Sequence, residues 1–433
     1  MKRISLFLLL FLLLKATVMY SQDGHPETNF RIVPVSPNAA SLGTFGMIPT
    51  DNYVGQANLT IPIYEIDLDG KKFPIALSYH TDGTRVAQEA TWIGLGWTLQ
   101  AGGCVVRQVQ GTDDFAARGC YNLTDAPWLT NPRFEVTDQN LEKYMGYFKG
   151  DYDAEPDMFY FNAGGHSGSM YFDVLKNNRQ LNAVPTIQTQ EKVVKMVYNT
   201  SNKTWTMTDL EGYVYSFSTK EITYYFLNTI DFFQTDITRS HIFPYYNEPQ
   251  IVTAWMLDSV TSPNGGKITF SYKKESIFTP ISTTEDVISL SKIVNGQLSS
   301  QSPQYFTNKF NYNYSYSKIE QWTLSAITFE GGKVEFGTTD REDIESAETG
   351  KKVQKLSSIK VSDTAGNLIK TTMLEYKYLL SGMAATTNGY DDRLLLSKVY
   401  DVAGSKKNNV YTMDYNMGKL PPKRSLSVDA WGF

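Results

Sequence analysis

Four histidines are the residues of this chain whose type and spacing could support acid–base catalysis. His80 stands two residues before Asp82, and His166 directly precedes Ser167. A catalytic base needs a nucleophile within hydrogen-bond reach and a third group that orients it. The position of His80 at a strand end beside a turn favours a hydrogen bond that closes a hairpin. His166 lies in a glycine-rich turn that lacks the strand-to-helix elbow of a serine hydrolase. The sequence therefore predicts no catalytic residues, and a hydrolase is the weakest of the functions considered.

Paired aspartates are the candidates for a calcium site, because Ca²⁺ prefers carboxylate and carbonyl oxygens. The pairs are Asp67 with Asp69, Asp113 with Asp114, and Asp151 with Asp153. None of them fits the twelve-residue loop of an EF-hand, and acidic residues in turns usually serve turn geometry. Asp151 and Asp153 are the first candidates for Ca²⁺, and no other metal or cofactor is predicted.

The stretch from Gly70 to Gly111 combines a strand pattern with closely spaced glycines and large rings. Glycine at this density lets backbone pass close to aromatic rings. We therefore assign a structural role to Trp92, Gly94, Gly96, Trp97, Gly102 and Gly103. The two tryptophans allow two interpretations: an exposed platform for stacking sugars, or a core pair packed across the turn. The core pair is favoured, since large rings are mostly buried.

Cys104 and Cys120 are the chain's two cysteines. Two thiols are too few for a structural zinc site. In an exported chain they could form a disulfide across a short loop. The alternative is a buried Cys104 in a strand and an incidental Cys120, and the sequence leaves both open.

The N-terminus has the pattern of a secretory signal peptide over residues 1–22. Lys2 and Arg3 precede an apolar run of leucine and phenylalanine, which ends in small and polar residues near Ser21 and Gln22. This run is too short to span a bilayer comfortably, and no later window is long enough, so no transmembrane segment is expected after cleavage. The alternative is a retained anchor helix. We expect an exported protein that is extracellular or associated with the outer-membrane surface, with the periplasm as the alternative.

The composition favours strands over helices and gives no reason to expect nucleic acid as a partner. Aromatic residues make up 13% of the chain, and the net charge is -5. The predicted fold is all-β and mostly antiparallel. Residues 23–250 are expected to form a β-sandwich-like domain, with the turn-rich residues 23–50 as an extended arm around it. Residues 251–433 are expected to form a region of stacked β-hairpins.

The hairpin region rests on a motif that occurs four times. Each copy has a leucine, a β-branched residue three positions later, a turn with glycine, and an alternating strand. The copies begin at Leu257, Leu324, Leu356 and Leu396. One hairpin cannot bury its apolar face alone, whereas stacked hairpins can, so the motif predicts an extended sheet or solenoid-like ribbon. The alternative is an ordinary antiparallel sheet in which such turns recur by chance.

The segment FPIALSYHTDGTRVAQEATWIGLGWTLQAGG (73–103) resembles the opening domain of the secreted Rhs/YD-repeat proteins of Bacteroidota. The segments PNAASLGTFG (37–46), GQANLTIPIYEIDLDG (55–70) and EPDMFYFNAGGHSGSMYFD (155–173) follow the same pattern. The likeness extends more distantly to SpvB and Tc-toxin shells. It implies a scaffold domain that precedes a spiral of repeats, which can carry a variable C-terminal toxin.

This chain departs from that family after residue 415, because neither the run of tyrosine-aspartate repeats nor a toxin module follows. We expect an apparently truncated N-terminal portion with a poorly capped last strand. Its implied partner is the rest of an Rhs-type protein or a neighbouring C-terminal half. The leading hypothesis is a non-enzymatic, exported scaffold module, and the alternative is a carbohydrate- or surface-binding module that uses exposed aromatic residues.

Overall fold

Strands account for almost all of the secondary structure, at 62% of the residues that the structure describes against 3% helix, and the predicted all-β class is confirmed. The computed structural model describes residues 33–47, 59–80, 85–111, 113–116, 119–121, 153, 155–173, 184–188, 194–230, 239–244, 250–290, 293–294, 297–298, 307–381, 390–418, 420–423 and 425. The predicted signal peptide and Asp151 lie outside this part of the chain. Among the described residues, no helix has the length and apolarity that crossing a membrane requires.

The strands are numbered in chain order. They are β1 Leu59–Leu68, β2 Lys71–Tyr79, β3 Trp97–Gln100, β4 Gly103–Gln108, β5 Met158–Ala163, β6 His166–Tyr171, β7 Thr186–Ile187, β8 Val194–Asn199, β9 Thr204–Asp209, β10 Val214–Ile230, β11 Phe243–Pro244, β12 Ile251–Thr261, β13 Lys267–Phe278, β14 Ser282–Leu290, β15 Ile293–Val294, β16 Gln297–Leu298, β17 Thr307–Phe329, β18 Gly332–Asp340, β19 Glu345–Ser346, β20 Gln354–Ser362, β21 Leu368–Leu379, β22 Arg393–Ala403 and β23 Lys406–Thr412. A 3₁₀ turn covers Arg239–His241, and α1 covers Pro37–Met47.

Residues 23–50 were predicted to be an extended arm, and this prediction is wrong for Pro37–Met47, which form helix α1. The hydroxyl of Ser36 accepts a hydrogen bond from the backbone N–H of Ala39 at 3.1 Å, and Pro37 occupies the first helical position. Serine at the N-cap and proline directly after it are strong helix-start signals. The turn residues of this segment therefore start a helix, which contacts β3, β4, β5 and β6.

The first sheet is small and contains β1, β2 and β3. Strands β1 and β2 form an antiparallel hairpin, with Leu59 opposite Tyr79 and Leu68 opposite Lys71. The turn between them uses Asp69 and Gly70, whose φ angles of 50° and 93° are those of a two-residue hairpin turn. This sheet positions the loop that leads into β3.

The second sheet contains the four predicted hairpins as consecutive neighbours. The hairpins are β12–β13, β17–β18, β20–β21 and β22–β23, and antiparallel ladders join each to the next. Four ladders among β10, β12, β13 and β17 close into a ring. The four hairpins predicted from the motif therefore lie side by side in one antiparallel sheet, whereas a solenoid-like ribbon stays a prediction.

The strands before residue 250 belong to the same second sheet. Strand β4 pairs with β12 and continues through β5, β6 and β7, while β8 and β9 lead into β10. One hydrophobic cluster includes Trp97 and Phe161 before the boundary, and Leu257 and Leu396 after it. The division at residue 250 stays a prediction, and the packing across it is continuous.

The hairpin motif contains a β-bulge in every copy. The residue after each leucine has no partner in the ladder to the preceding strand; these residues are Asp258, Ser325, Ser357 and Ser397. Residues three apart on a regular strand face opposite sides, and one extra residue restores them to the same side. The leucine and the β-branched residue of each copy are therefore all buried in one core.

A tyrosine on the returning strand, or just beyond it, donates to the leucine carbonyl at three of these bulges. Tyr272 donates to the carbonyl of Leu257 at 2.6 Å, and Tyr376 donates to that of Leu356 at 2.5 Å. In the fourth copy the hydroxyl of Tyr415, just beyond β23, donates to the corresponding leucine carbonyl at 2.8 Å. Buried carbonyls without a donor cost free energy, so these hydroxyls stabilise the bulged geometry.

We expect Tyr376→Phe to lower the free energy of unfolding by about 1–2 kcal/mol, because it removes this donor while keeping the partly buried ring. Urea denaturation measures the change. Tyr411→Phe on the exposed strand β23 is the matched control, for which we expect less than about 0.5 kcal/mol. Equal effects of the two substitutions would contradict the assigned role of the Tyr376 hydroxyl.

Candidate functional site

The tryptophan loop, residues 90–97, lies against the third and fourth hairpins rather than at the surface. Trp92 is 6% exposed and Trp97 is 1% exposed. The carbonyl of Trp92 accepts from the backbone N–H of Leu356 at 3.0 Å, and the N–H of Leu95 donates to the carbonyl of Leu394 at 2.8 Å. The interpretation of the two rings as an exposed sugar platform is therefore wrong, because both rings lie in the core.

The loop is closed on itself and tied to the end of the last hairpin. The hydroxyl of Thr91 donates to the carbonyl of Trp97 at 2.6 Å. The indole Nε1 of Trp97 donates to the hydroxyl of Tyr415 at 2.9 Å, the same hydroxyl that satisfies the bulge carbonyl of Leu396. A single chain of hydrogen bonds thus joins the loop to the fourth bulge.

The glycines assigned a structural role lie where backbone or rings approach them closely. A Cβ on Gly94 would lie 2.9 Å from the backbone nitrogen of Leu396, and one on Gly96 would lie 2.7 Å from the ring of Tyr79. A Cβ on Gly103 would meet the carbonyl of Asn162 at 2.4 Å. Gly102 has a φ of 93° beside the ring of Phe270. Side chains at these positions would push the tryptophan loop or β4 away from the sheet.

Four buried charged side chains form a cluster next to the tryptophan loop, and we call this cluster the charge clamp. They are Glu89, Arg341, Asp343 and Lys423. Arg341 forms a bidentate ion pair with Asp343, in which Nε lies 2.8 Å from Oδ1 and Nη2 lies 2.7 Å from Oδ2. Its nitrogens also donate to the carbonyls of Thr91 at 2.9 Å and Ala90 at 3.2 Å. One guanidinium therefore fastens the start of the loop to the segment that follows β18.

Lys423 completes the charge clamp from the C-terminal segment. Its Nζ donates to the carbonyl of Asp343 at 2.8 Å and lies 3.5 Å from a carboxylate oxygen of Glu89. Burial raises the pKa of Glu89, although the charges of Lys423 and Arg341 oppose this effect. With two cations and two carboxyl groups the cluster is balanced in charge, which suits a structural role better than a catalytic one.

The aspartate pair Asp113 and Asp114 lies in a second buried cluster, around Arg107. The guanidinium of Arg107 pairs with Asp113 and with Asp157, whose Oδ2 lies 2.7 Å from Nε. Burial, and then the charge of Asp157, raise the pKa of Asp114 well above its ordinary value. Asp153 is buried close by and accepts from the N–H of Glu155 at 3.0 Å.

The structure does not bring the calcium candidates together as a metal site within its described part. Among those residues, no group of three or more histidines, cysteines or acidic residues has metal-binding geometry. Asp67 accepts from the N–H of Gly70 and pairs with Lys72 at 2.9 Å, and Asp69 accepts from the hydroxyl of Ser262. Because Asp151 lies outside the described residues, a site that uses Asp151 and Asp153 stays a prediction.

Cys104 and Cys120 are not joined by a disulfide in the structure. Cys104 lies on the face of β4 that packs against Ala39 and Met256, whereas Cys120 packs against the main core on the other side of that strand. The two cysteines therefore belong to different hydrophobic clusters. Burial raises the pKa of the Cys104 thiol, as expected for an inert core residue.

His80 and His166, the two histidines considered as catalytic candidates, take part in contacts that stabilise the fold. The backbone N–H of His80 donates to the carbonyl of Gly96 at 3.0 Å, which attaches the end of β2 to the tryptophan loop. His166 begins β6, and its Nε2 lies 3.7 Å from Asp209, which is paired with Lys71 at 2.5 Å. Ser167 beside it is exposed, so the structure assembles no nucleophile and base here.

A small pocket lies between α1 and the sheet in the described part of the chain. It is about 40 Å³ and is lined by Asn38, Trp92, Met256 and Trp322, among others. This volume suits one or a few water molecules and is far below that of a typical ligand pocket. The cavity therefore gives no support to a small-molecule substrate.

No protein-family model and no curated protein match the chain. It is similar to several solved structures at low identity. The TcdB2–TccC3 crystal structure is 10% identical with a TM-score of 0.37, and the match covers 88% of this chain and 16% of that one. The N-terminal domain of the effector SpvB from Salmonella typhimurium strain LT2 is 12% identical with a TM-score of 0.36, covering 80% of this chain and 99% of that one. The Tc holotoxin pore of Photorhabdus luminescens is 11% identical with a TM-score of 0.33, covering 82% of this chain and 15% of that one.

Proposed function

We propose that this chain is an exported, non-enzymatic scaffold module, the N-terminal portion of an Rhs-type shell or cell-surface assembly. The observation that carries the proposal is the docking of the tryptophan loop, because its backbone bonds to Leu356 and Leu394 make the N-terminal residues and the hairpin repeats one body. The resemblance of residues 73–103 to the opening domain of Bacteroidota Rhs/YD-repeat proteins supports the same assignment.

The distribution of buried charge also supports a structural rather than a catalytic role. Arg107 and Arg341 are each almost completely buried, and both are used in ion pairs with aspartates. Arg393 is buried too and donates to the backbone carbonyls of Val86 and Pro421. Such side chains fix distant segments to one another, and enzymatic sites need titratable groups that open into a substrate pocket.

The expected partner is a polypeptide that continues the sheet beyond β23. Strand β23 pairs with β22, and no other described strand pairs with it; all seven of its side chains are exposed. An open antiparallel edge is a template for another strand, so further hairpins of the same kind would fit there. These hairpins would belong to the rest of an Rhs-type protein or to a separate C-terminal half.

Photo-crosslinking in the producing cells tests this proposal. A benzoyl-phenylalanine at position 411, on the open strand, is expected to give an adduct with a larger hairpin-repeat polypeptide in the exported fraction. The control position is Leu210, which is 80% exposed on the β9–β10 turn. Absence of an adduct at 411, or equal adducts at both positions, would contradict the proposed assembly. Glycan binding that is lost in Tyr411→Ala would favour the surface-binding alternative instead.

A further inference from the structure

A buried glutamate and a buried glutamine face each other across the ladder between β13 and β17. Glu275 and Gln321 are direct partners in that ladder, and they are 7% and 3% exposed. The pair lies beneath the connector, residues 341–353, which joins β18 to β20. Ile344 and Val353 of the connector pack in one cluster with Ile277 and Ile319 of the same two strands.

The two side chains make one hydrogen bond and leave one acceptor each without a donor. Nε2 of Gln321 donates to Oε2 of Glu275 at 3.4 Å, which is a long bond. Oε1 of Glu275 and Oε1 of Gln321 are both buried and accept no hydrogen bond of good geometry, although the backbone N–H of Gln354 approaches the Glu275 carboxyl. Two buried acceptors without donors are costly, and a single proton between them would satisfy both.

We propose that Glu275 takes up a proton from solvent and forms a two-bond acid–amide pair with Gln321, which fastens the connector in mildly acidic conditions and loosens it at higher pH. In the protonated form, the carboxyl O–H donates to the amide oxygen while the amide N–H donates to the other carboxyl oxygen. On ionisation the proton returns to water, and the carboxylate and the amide oxygen are left as two acceptors side by side.

The surroundings of Glu275 place its protonation within the physiological pH range. Burial raises the pKa of Glu275 to about 6, although the bond from Gln321, the charges of Lys273 and Arg341, and the backbone N–H of Gln354 all oppose it. Lys274 and Glu320, the adjacent residues on the two strands, form an ion pair at 2.8 Å. Strand alternation places that pair on the opposite face of the sheet.

The connector would respond because it is attached directly to these strands. The N–H of Ala347 donates to the carbonyl of Ser276, next to Glu275, at 2.8 Å. The N–H of Arg341 donates to the carbonyl of Val353 at 2.8 Å, so the two ends of the connector are held together. Arg341 also carries the charge clamp, and loosening of the connector therefore reaches the tryptophan loop.

The direction in which stability changes with pH follows from the direction in which the pKa of Glu275 is shifted. Since the pKa in the folded state lies above the ordinary value of 4.5, the stabilisation is complete below pH 4.5 and is lost as the pH rises through about 6. The difference of about 1.5 pH units corresponds to a change of about 30-fold in the folding constant.

Two measurements on the whole exported chain test the proposal. With ¹³C-labelled glutamate, the carboxyl resonance that disappears in Glu275→Gln is expected to titrate near pH 6 in the wild type. Hydrogen exchange of residues 341–353, corrected for intrinsic rates, is expected to be about 10–30-fold faster at pH 7.5 than at pH 4.5. The Glu275→Gln protein mimics the protonated pair, so its exchange should be slow at both pH values. Glu320→Gln is the control for the opposite face and should behave as the wild type.

A carboxyl resonance that titrates at the ordinary value, or the same pH dependence in the Glu275→Gln protein, would overturn the proposal. Gln321→Glu provides a second route if the first variant does not fold. It places two carboxyl groups opposite each other, which then share one proton, so the midpoint of the exchange transition is expected to move upwards by at least one pH unit. An unchanged midpoint in this variant would also overturn the proposal.

Discussion

Replacing Gly94 by alanine is expected to destabilise the fold by about 3–5 kcal/mol, or to prevent folding at 37 °C. The added Cβ would lie 2.9 Å from the backbone nitrogen of Leu396 and 3.4 Å from the carbonyl of Leu394. Neither atom belongs to a flexible side chain, so the tryptophan loop or β22 would have to move. The φ angle of 122° adds strain for any residue with a Cβ, and each effect costs roughly 1–3 kcal/mol.

A comparison with Gly265→Ala separates the clash of the added Cβ from the backbone strain of a positive φ angle. Gly265 lies at the tip of the β12–β13 hairpin with a φ of 93°, and nothing lies within 4 Å of a Cβ built there. We expect a loss of about 1 kcal/mol from backbone strain alone. Thermal or urea unfolding of both variants gives the comparison. A Gly94→Ala protein as stable as Gly265→Ala would show that the tryptophan loop is not held against the sheet as described.

The position of Gly94 illustrates which features of this fold can be predicted from sequence. The spacing of Trp92, Gly94, Gly96 and Trp97 indicated a core packed tightly against backbone, and the rings are indeed buried. The spacing could not indicate which residues the loop contacts, because Leu394 and Leu396 lie about 300 residues after Gly94 in the chain. Contacts between distant segments leave no local pattern in a single sequence.

The hairpin repeats show the same division between local and distant information. Leucine, a β-branched residue and a glycine turn marked all four copies, and the hairpins follow that pattern. The spacing of three between two buried residues conflicts with regular alternation, and this conflict was the available signal for the bulges at positions such as Ser357 and Ser397. The tyrosines that satisfy the bulge carbonyls were not predicted from the motif.

The helix at Pro37–Met47 was missed although its start signal was present. Ser36 and Pro37 form a strong N-cap pair, but the glycines at 43 and 46 favoured a turn-rich interpretation. Packing of α1 against β4, β5 and β6 compensates for the weak helix propensity of the glycines, which is a tertiary effect. The charge clamp was equally hidden, because its members come from three separate parts of the chain.

Arg341→Met is expected to cost about 3–5 kcal/mol, since it leaves Asp343 buried without its main cation and removes two donors from the tryptophan loop. Burial alone would raise the pKa of Asp343, but the charge and hydrogen bonds of Arg341 lower it below 3.8. Because that pKa is lowered, its stabilising effect is present above pH 3.8 and is lost as the pH falls below this value. In the variant the pKa of Asp343 should rise, so the destabilisation should be larger at pH 7 than at pH 4.

Lys352→Met is the matched control on the same connector. Lys352 and Glu342 form an ion pair at 3.2 Å, with both side chains more than half exposed, so we expect a change of less than about 0.5 kcal/mol. The double variant Arg341→Met with Asp343→Asn should recover part of the loss, because the uncompensated buried charge is gone. If Arg341→Met and Lys352→Met had equal effects in urea unfolding, the clamp would contribute no more than a surface ion pair. The acid dependence also distinguishes the Arg341–Asp343 pair from Glu275, since this ion pair weakens as the pH falls and the acid–amide pair weakens as the pH rises.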